Sequence, residues 1–388
     1  MCDIDSSDTG KSVDVKTIPV DQAVGTVLAH DITEIRQGEF KGRAFRKGHL
    51  VCSEDICHLQ KLGKDRLFVL NITEGQMHEN DAAYALAEAL SGEGVQLQGE
   101  PKEGKINLVT GRTGILRVQK DALCRFNMIG DVMCATLHSN TLVTKGQIVA
   151  GTRAIPLVVK RDIVEKAVRI AGGKQSSKAG SGDGGIISVK EIRKPKAGIV
   201  ITGNEVYSGR INDVFAPIIK EKIEAFGGEV VGIYFTPDDT SCIEARLREL
   251  IEAGADLLII TGGMSVDPDD VTRFAIRNLG VREIYYGSAA LPGAMFLVAY
   301  LEKKSEVSTR ESEDRNRQSS IINHQSEIIP VLGIPACGMY YRTTVFDLVL
   351  PRILTGEHIG TEELAELGHG GLCLNCKECR YPVCPFGK

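Results

Sequence analysis

From residue 196 to residue 279 short apolar runs alternate with longer stretches of helical periodicity, and no other feature of the chain restricts its fold as much. Ala197–Thr202, Glu229–Phe235 and Asp256–Thr261 have strand length, whereas Asp213–Phe226 and Ser241–Glu252 are amphipathic at the helical period, and a further helix is expected from Pro268 to Leu279. Strands that are apolar throughout need cover on both faces, and strand–helix–strand units cross over with a right hand. The pattern therefore predicts an α/β domain over 186–358, a mostly parallel sheet flanked by helices.

The texture before that segment differs. Arg66–Ile72, Lys105–Thr110 and Gly114–Gln119 read as strands, Asp81–Leu90 as a helix, and Gly38, Gly42, Gly48 and Gly63 punctuate the chain, so 1–171 is expected to form a turn-rich α+β module. The Gly/Ser-rich stretch 172–185 reads as a flexible linker, and the polar stretch 302–327 as a mobile insert between two apolar runs. Residues 359–388 form a cysteine-rich tail.

Composition removes several classes of function. A net charge of −5, with 11 Phe, 9 Tyr and no Trp, supplies neither the field nor the stacking surfaces for nucleic acid, so no nucleic-acid partner is expected. No run reaches the roughly 18 apolar residues of a membrane span. The acidic start lacks a secretory pattern, and seven of the cysteines are scattered without a disulfide framework, so a cytoplasmic protein without membrane contact is expected. His30, His49, His58 and His138 stand alone and read as structural or surface residues, not ligands.

In open parallel sheets ligands bind beyond the carboxyl ends of the strands. Three such ends stand out here: Thr202-Gly-Asn-Glu205, Pro237-Asp-Asp239, and Thr261-Gly-Gly-Met-Ser265 with Asp267, Asp269 and Asp270. Paired glycines admit a ligand close to the backbone, and a following helix offers free N–H groups to an anion. Carboxylates at the same turn repel phosphate unless a hard cation, Mg²⁺ foremost, accompanies it.

With Leu291-Pro-Gly293 and Leu332-Gly-Ile-Pro335 these motifs follow one another in an order that resembles the molybdopterin-binding domain of molybdenum-cofactor biosynthesis proteins, nearest to the molybdopterin molybdenumtransferase branch but divergent. The resemblance covers 196–355. It implies binding of molybdopterin or adenylated molybdopterin with Mg²⁺, and insertion of molybdate with release of AMP. Glu205, Asp238, Asp239 and Asp270 would be the acidic residues at the reacting centre, Asp270 also a metal ligand. Thr202, Gly203, Asn204, Gly262, Gly263, Met264, Ser265, Pro292, Gly293 and Pro335 would line the cofactor cleft. It also implies a homodimer. Where the family commonly carries Pro-Gly-Lys-Pro and Pro-Gly-Asn-Pro, this chain has Pro292-Gly-Ala-Met295 and Pro335-Ala-Cys-Gly338. These departures favour the alternative, a non-catalytic carrier, sensor or delivery protein acting on a partner molybdoenzyme.

Cys373, Cys376, Cys379 and Cys384 have the spacing C-x2-C-x2-C-x4-C-P. Two-residue gaps let thiolates converge on one centre, which predicts a zinc site or a [4Fe–4S] cluster in the tail. Two other features carry no site. Gly180–Gly185 matches a dinucleotide fingerprint but precedes a strand, and Cys337 has no base beside it in the sequence and reads as a small packed residue.

Overall fold

A computed structural model describes residues 17–36, 40–68, 74–172, 184–264, 271–303 and 327–387. The expected linker and insert lie almost wholly outside the described residues, as do Ser265 and Asp270. The chain divides into two compact units, 1–139 with 143–190, and 140–142 with 191–388. Among the described residues no helix is long and apolar enough to cross a membrane.

The first unit is built from short antiparallel pieces. Ile32–Arg36 pairs with Phe40–Phe45 over a small core of Val20, Leu28, Ile32, Val51, Leu59 and Leu67. A four-stranded sheet follows, in the order Val95–Lys102, Lys105–Thr110, Ile148–Ala154, Val132–Thr136. The apolar faces of the helices Glu79–Leu90 and Arg161–Ala171 are buried in the same core, around Leu86, Leu90, Leu108, Val149 and Val164.

The second unit holds a six-stranded sheet. Its strands are β1 (Lys196–Thr202), β2 (Glu229–Thr236), β3 (Leu257–Thr261), β4 (Glu283–Tyr286), β5 (Leu297–Lys303) and β6 (Glu327–Ile334), in the spatial order β2-β1-β3-β6-β5-β4. The pairs β1–β2, β1–β3 and β3–β6 are parallel, while β5 and β4 close the sheet antiparallel. The helices are α1 (Asn204–Tyr207), α2 (Phe215–Glu224), α3 (Thr240–Glu252), α4 (Thr272–Asn278), α5 (Val345–Leu354) and α6 (Thr361–Glu366). The expected helix from Pro268 is described only from Thr272, because 265–270 lie outside the described residues.

Period-two alternation explains why β1 and β3 are apolar throughout. Ile199, Ile201, Leu257 and Ile259 pack with Phe215 and Ile219 of α2 and Val349 of α5. Val200, Leu258 and Ile260 point to the other face and pack with Ile243 and Leu247 of α3 and Ala275 of α4. Two opposed cores leave the strand ends as the places where this sheet exposes its backbone to a ligand.

Candidate functional site

The carboxyl ends of β1, β2, β3 and β6 open into a cleft of about 1220 Å³. Its floor is made by hydroxyls and glycines. Thr202 donates its hydroxyl to the Thr261 carbonyl at 2.9 Å, and Thr272 donates to the Gly262 carbonyl at 3.0 Å, which tie the ends of β1 and β3 to the start of α4. Gly262 has φ +84°, and a Cβ there would lie 2.6 Å from the Thr202 carbonyl and hydroxyl oxygens. Only glycine combines that backbone with that approach.

One half of the cleft, at β1 and β2, is acidic. Glu205 on α1, Asp213 before α2 and Asp238 after β2 line it. Asn204 holds this corner together: its N–H donates to Asp238 Oδ2 at 3.0 Å, and the Asp238 N–H donates to Asn204 Oδ1 at 3.2 Å. Asp213 accepts the N–H groups of Phe215 and Ala216 at 2.9 and 3.0 Å and so fixes the first turn of α2. The other half, at β6 and the loop before β5, is apolar and rich in sulfur, with Leu291, Met295, Cys337, Met339, Leu372 and Cys373. No Lys or Arg lines the cleft among the described residues. Burial pushes the Cys337 thiol up.

The expected site residues sort cleanly. Thr202, Gly203, Glu205, Asp238, Gly262, Gly263, Met264, Pro292, Gly293 and Pro335 line this one cleft. Asn204 positions Asp238 from just outside it. Asp239 is not among the lining residues: its carboxylate caps α3, accepting the Cys242 N–H at 2.8 Å, and that bond holds its carboxyl below the usual range. Ser265 and Asp270 lie outside the described residues. Cys337, expected to be a packed residue, is a lining residue. Asp213, Tyr340, Tyr341 and Leu372 also line the cleft and were not anticipated; Asp213, two residues before the first turn of an amphipathic helix, carried the one usable signal.

The tail differs from its sequence reading. Among the described residues no group of three or more His, Cys, Asp or Glu side chains is placed to hold a metal ion, so the tail thiols are not gathered around one centre as the spacing led one to expect. Instead Cys373 and Cys384 pack against the core of the second unit, and Cys379 Sγ lies 3.2 Å from the Thr343 hydroxyl. That contact, with the Tyr381 backbone N–H, pulls the Cys379 thiol below its ordinary range. Cys376 and Cys379 are exposed.

Fold and cleft together define a mostly parallel α/β domain with a cleft at the carboxyl edge of its sheet, where ligands bind in folds of this class. Residues 198–354 match the family model described as a probable molybdopterin binding domain, and residues 17–71 match a domain of unknown function (DUF8806). The chain is 37% identical over 89 residues to a CinA-like protein of Mycolicibacterium gilvum, a match covering 23% of this chain and 21% of that protein. A CinA-like protein of Mycobacterium tuberculosis is 38% identical over the same length. The chain thus spans about a fifth of the length of the curated relatives it matches. Among solved structures, the molybdopterin biosynthesis enzyme MoaB from Thermus thermophilus shares 19% identity over 42% of this chain and 98% of its own, with a TM-score of 0.30. A molybdenum cofactor biosynthesis protein from Pyrococcus furiosus shares 15% identity over 91% of this chain and 65% of its own, with a TM-score of 0.23.

Proposed function

We propose that the cleft binds molybdopterin or its adenylate and that the protein acts in molybdenum-cofactor biosynthesis. The observation that carries this reading is the convergence of ten of the resemblance's site residues on one cleft, within the segment that matches the molybdopterin-binding family model. A pterin ring presents amino and ring N–H groups, and the carboxylates of Glu205, Asp213 and Asp238 are acceptors for them. A phosphate on the same ligand meets carboxylates and, among the described residues, no basic lining residue. Mg²⁺ enters this reading as an ion carried with the ligand phosphate, because one or two carboxylates plus phosphate and water suffice for it.

Two chemistries follow. As a transferase of the molybdopterin molybdenumtransferase type, the protein inserts molybdate with release of AMP. As a carrier, it binds and hands on the cofactor to a molybdoenzyme, and the replacement of the family's Lys-Pro pair by Ala294-Met295 favours this second reading. Incubating the purified chain with adenylated molybdopterin, molybdate and Mg²⁺ separates them. AMP release supports the transferase, stoichiometric binding without AMP supports the carrier, and no binding in either condition removes both. The same reading gives a homodimer, which light scattering tests: a mass of twice the 42.0 kDa chain supports it and the chain mass rejects it.

A further inference from the structure

The C-terminal segment lies beyond the stretch that matches the molybdopterin-binding family model, yet it is built into the cleft. Leu372 forms a parallel bridge with Leu291, secured by Leu291 N–H donating to the Gly371 carbonyl at 2.7 Å and Cys373 N–H donating to the Leu291 carbonyl at 2.8 Å. Downstream, the Tyr381 hydroxyl donates to the Asp347 carbonyl on α5 at 2.9 Å, and Phe386 is buried in the core shared with Phe215 and Val345. The Gly387 N–H returns to the Gly370 carbonyl at 3.0 Å and closes the segment into a loop anchored at both ends. The backbone of 371–373 is thereby fixed against the Leu291–Gly293 turn, and Leu372 and Cys373 line the cleft from it.

The order of strands gives the cleft a polarity. Carboxylates cluster at β1 and β2, whereas Cys337 follows β6, two strands from β1, and the Leu291 turn precedes β5, three strands from β1. A ligand that combines a ring edge rich in N–H donors with an end bearing sulfur meets carboxylate acceptors only in the acidic half among the described residues. Its polarizable end is matched by the thiols, thioethers and leucines of the other half. We propose that Gly371–Cys373 is a wall of the binding site, and that Cys373, together with Cys337, faces the sulfur-bearing end of the ligand.

This rests on the pterin reading, and the test separates the two. The full-length chain is alkylated with iodoacetamide with and without saturating molybdopterin, each cysteine being followed by mass spectrometry, while calorimetry measures binding. Occupancy is expected to slow labelling of Cys373 and Cys337 about tenfold or more, with exposed Cys376 and Cys379 unchanged. In a second arm Leu372→Glu, at a side chain 64% exposed and thus tolerant of the change, places a charge in the apolar half, while Leu374→Glu, 75% exposed and outside the cleft lining, serves as control. Leu372→Glu is expected to weaken binding about tenfold, and the control to bind as the unaltered chain does. If molybdopterin binds but Cys373 is labelled at its free rate, or Leu372→Glu binds normally, the wall is refuted and the pterin reading stands. If the unaltered chain does not bind molybdopterin, both fall.

Discussion

Single residues at the cleft divide into those that shape the backbone and those whose side chains face the opening, and the sequence distinguishes the two only where stereochemistry leaves one choice. Gly262 and Gly263 were readable as a site of close approach because nothing else in a Gly-Gly turn after a buried strand has a use for two missing side chains. Asp238 and Asp239 were not separable, since one faces the cleft and the other caps a helix, and both roles ask for a carboxylate before a helix. The glycine argument gives a graded expectation. Gly254 also has a positive φ, +91°, but a Cβ there meets nothing within 4 Å, whereas at Gly262 it meets two oxygens at 2.6 Å. Gly254→Ala should therefore cost only the left-handed backbone, about 1 kcal/mol, and Gly262→Ala that cost plus displacement of Thr202, about 2–3 kcal/mol in all. Urea unfolding of the two variants checks the order, and equal losses would show that the Thr202 corner yields freely.

At the level of elements, legibility followed burial. β1 and β3 were plain because both faces are covered, leaving an apolar run with no alternative explanation. β4 was missed: it is a four-residue edge strand whose Glu283–Tyr286 sequence is only half-buried and has no run to detect. The docking of the tail was missed for a different reason. Its anchors are one tyrosine, one phenylalanine and a backbone bridge to a residue about 80 positions earlier, and long-range pairing leaves no periodicity to read. The C-x2-C-x2-C-x4-C spacing was clear, but spacing alone does not make thiols converge. The start of α5 joins these parts. Thr344 accepts the Phe346 N–H at 3.2 Å, Asp347 accepts the Thr344 N–H at 2.7 Å, and the next residue, Val345, donates to the Pro292 carbonyl in the cleft turn at 3.1 Å. Thr344→Ala should thus cost about 1 kcal/mol and also raise amide exchange at the Val345 N–H, a coupling that hydrogen exchange resolves. Faster exchange confined to solvent-exposed turns elsewhere would break the link between cap and cleft.

For the whole molecule, two compact units with separate cores predict two unfolding transitions where a single domain gives one. Ligand and pH should address them separately. A ligand bound only by the folded second unit raises that unit's stability by about 2.7 kcal/mol at 100 times its Kd and leaves the first unit where it was. Acid should do the reverse, through a histidine that the sequence did not single out. His78 is buried in the first unit, its Nε2–H donating to the Ala29 carbonyl at 2.8 Å while Nδ1 accepts the Asn80 N–H at 3.1 Å and meets Lys47 Nζ at 2.9 Å. That pattern is met only by the neutral ring, and burial holds His78 below its ordinary value of 6.5, as it does His30. The unfolded chain then binds more protons than the folded one between 6.5 and the depressed folded values. Stability from these groups is complete above 6.5 and is lost as pH falls through the folded values. Glu79 works in the opposite direction: burial raises it above 4.5, so the folded form holds its proton longer and gains as pH falls towards 4.5. Two histidines against one carboxyl give a net loss as pH falls from about 7.5 to about 5.5. Calorimetry should show the transition of the first unit moving down across that range, and moving less in His78→Gln, while the transition raised by molybdopterin stays in place. If acid lowers the ligand-sensitive transition instead, or His78→Gln leaves the pH response unaltered, His78 is not the group that makes the first unit acid-labile.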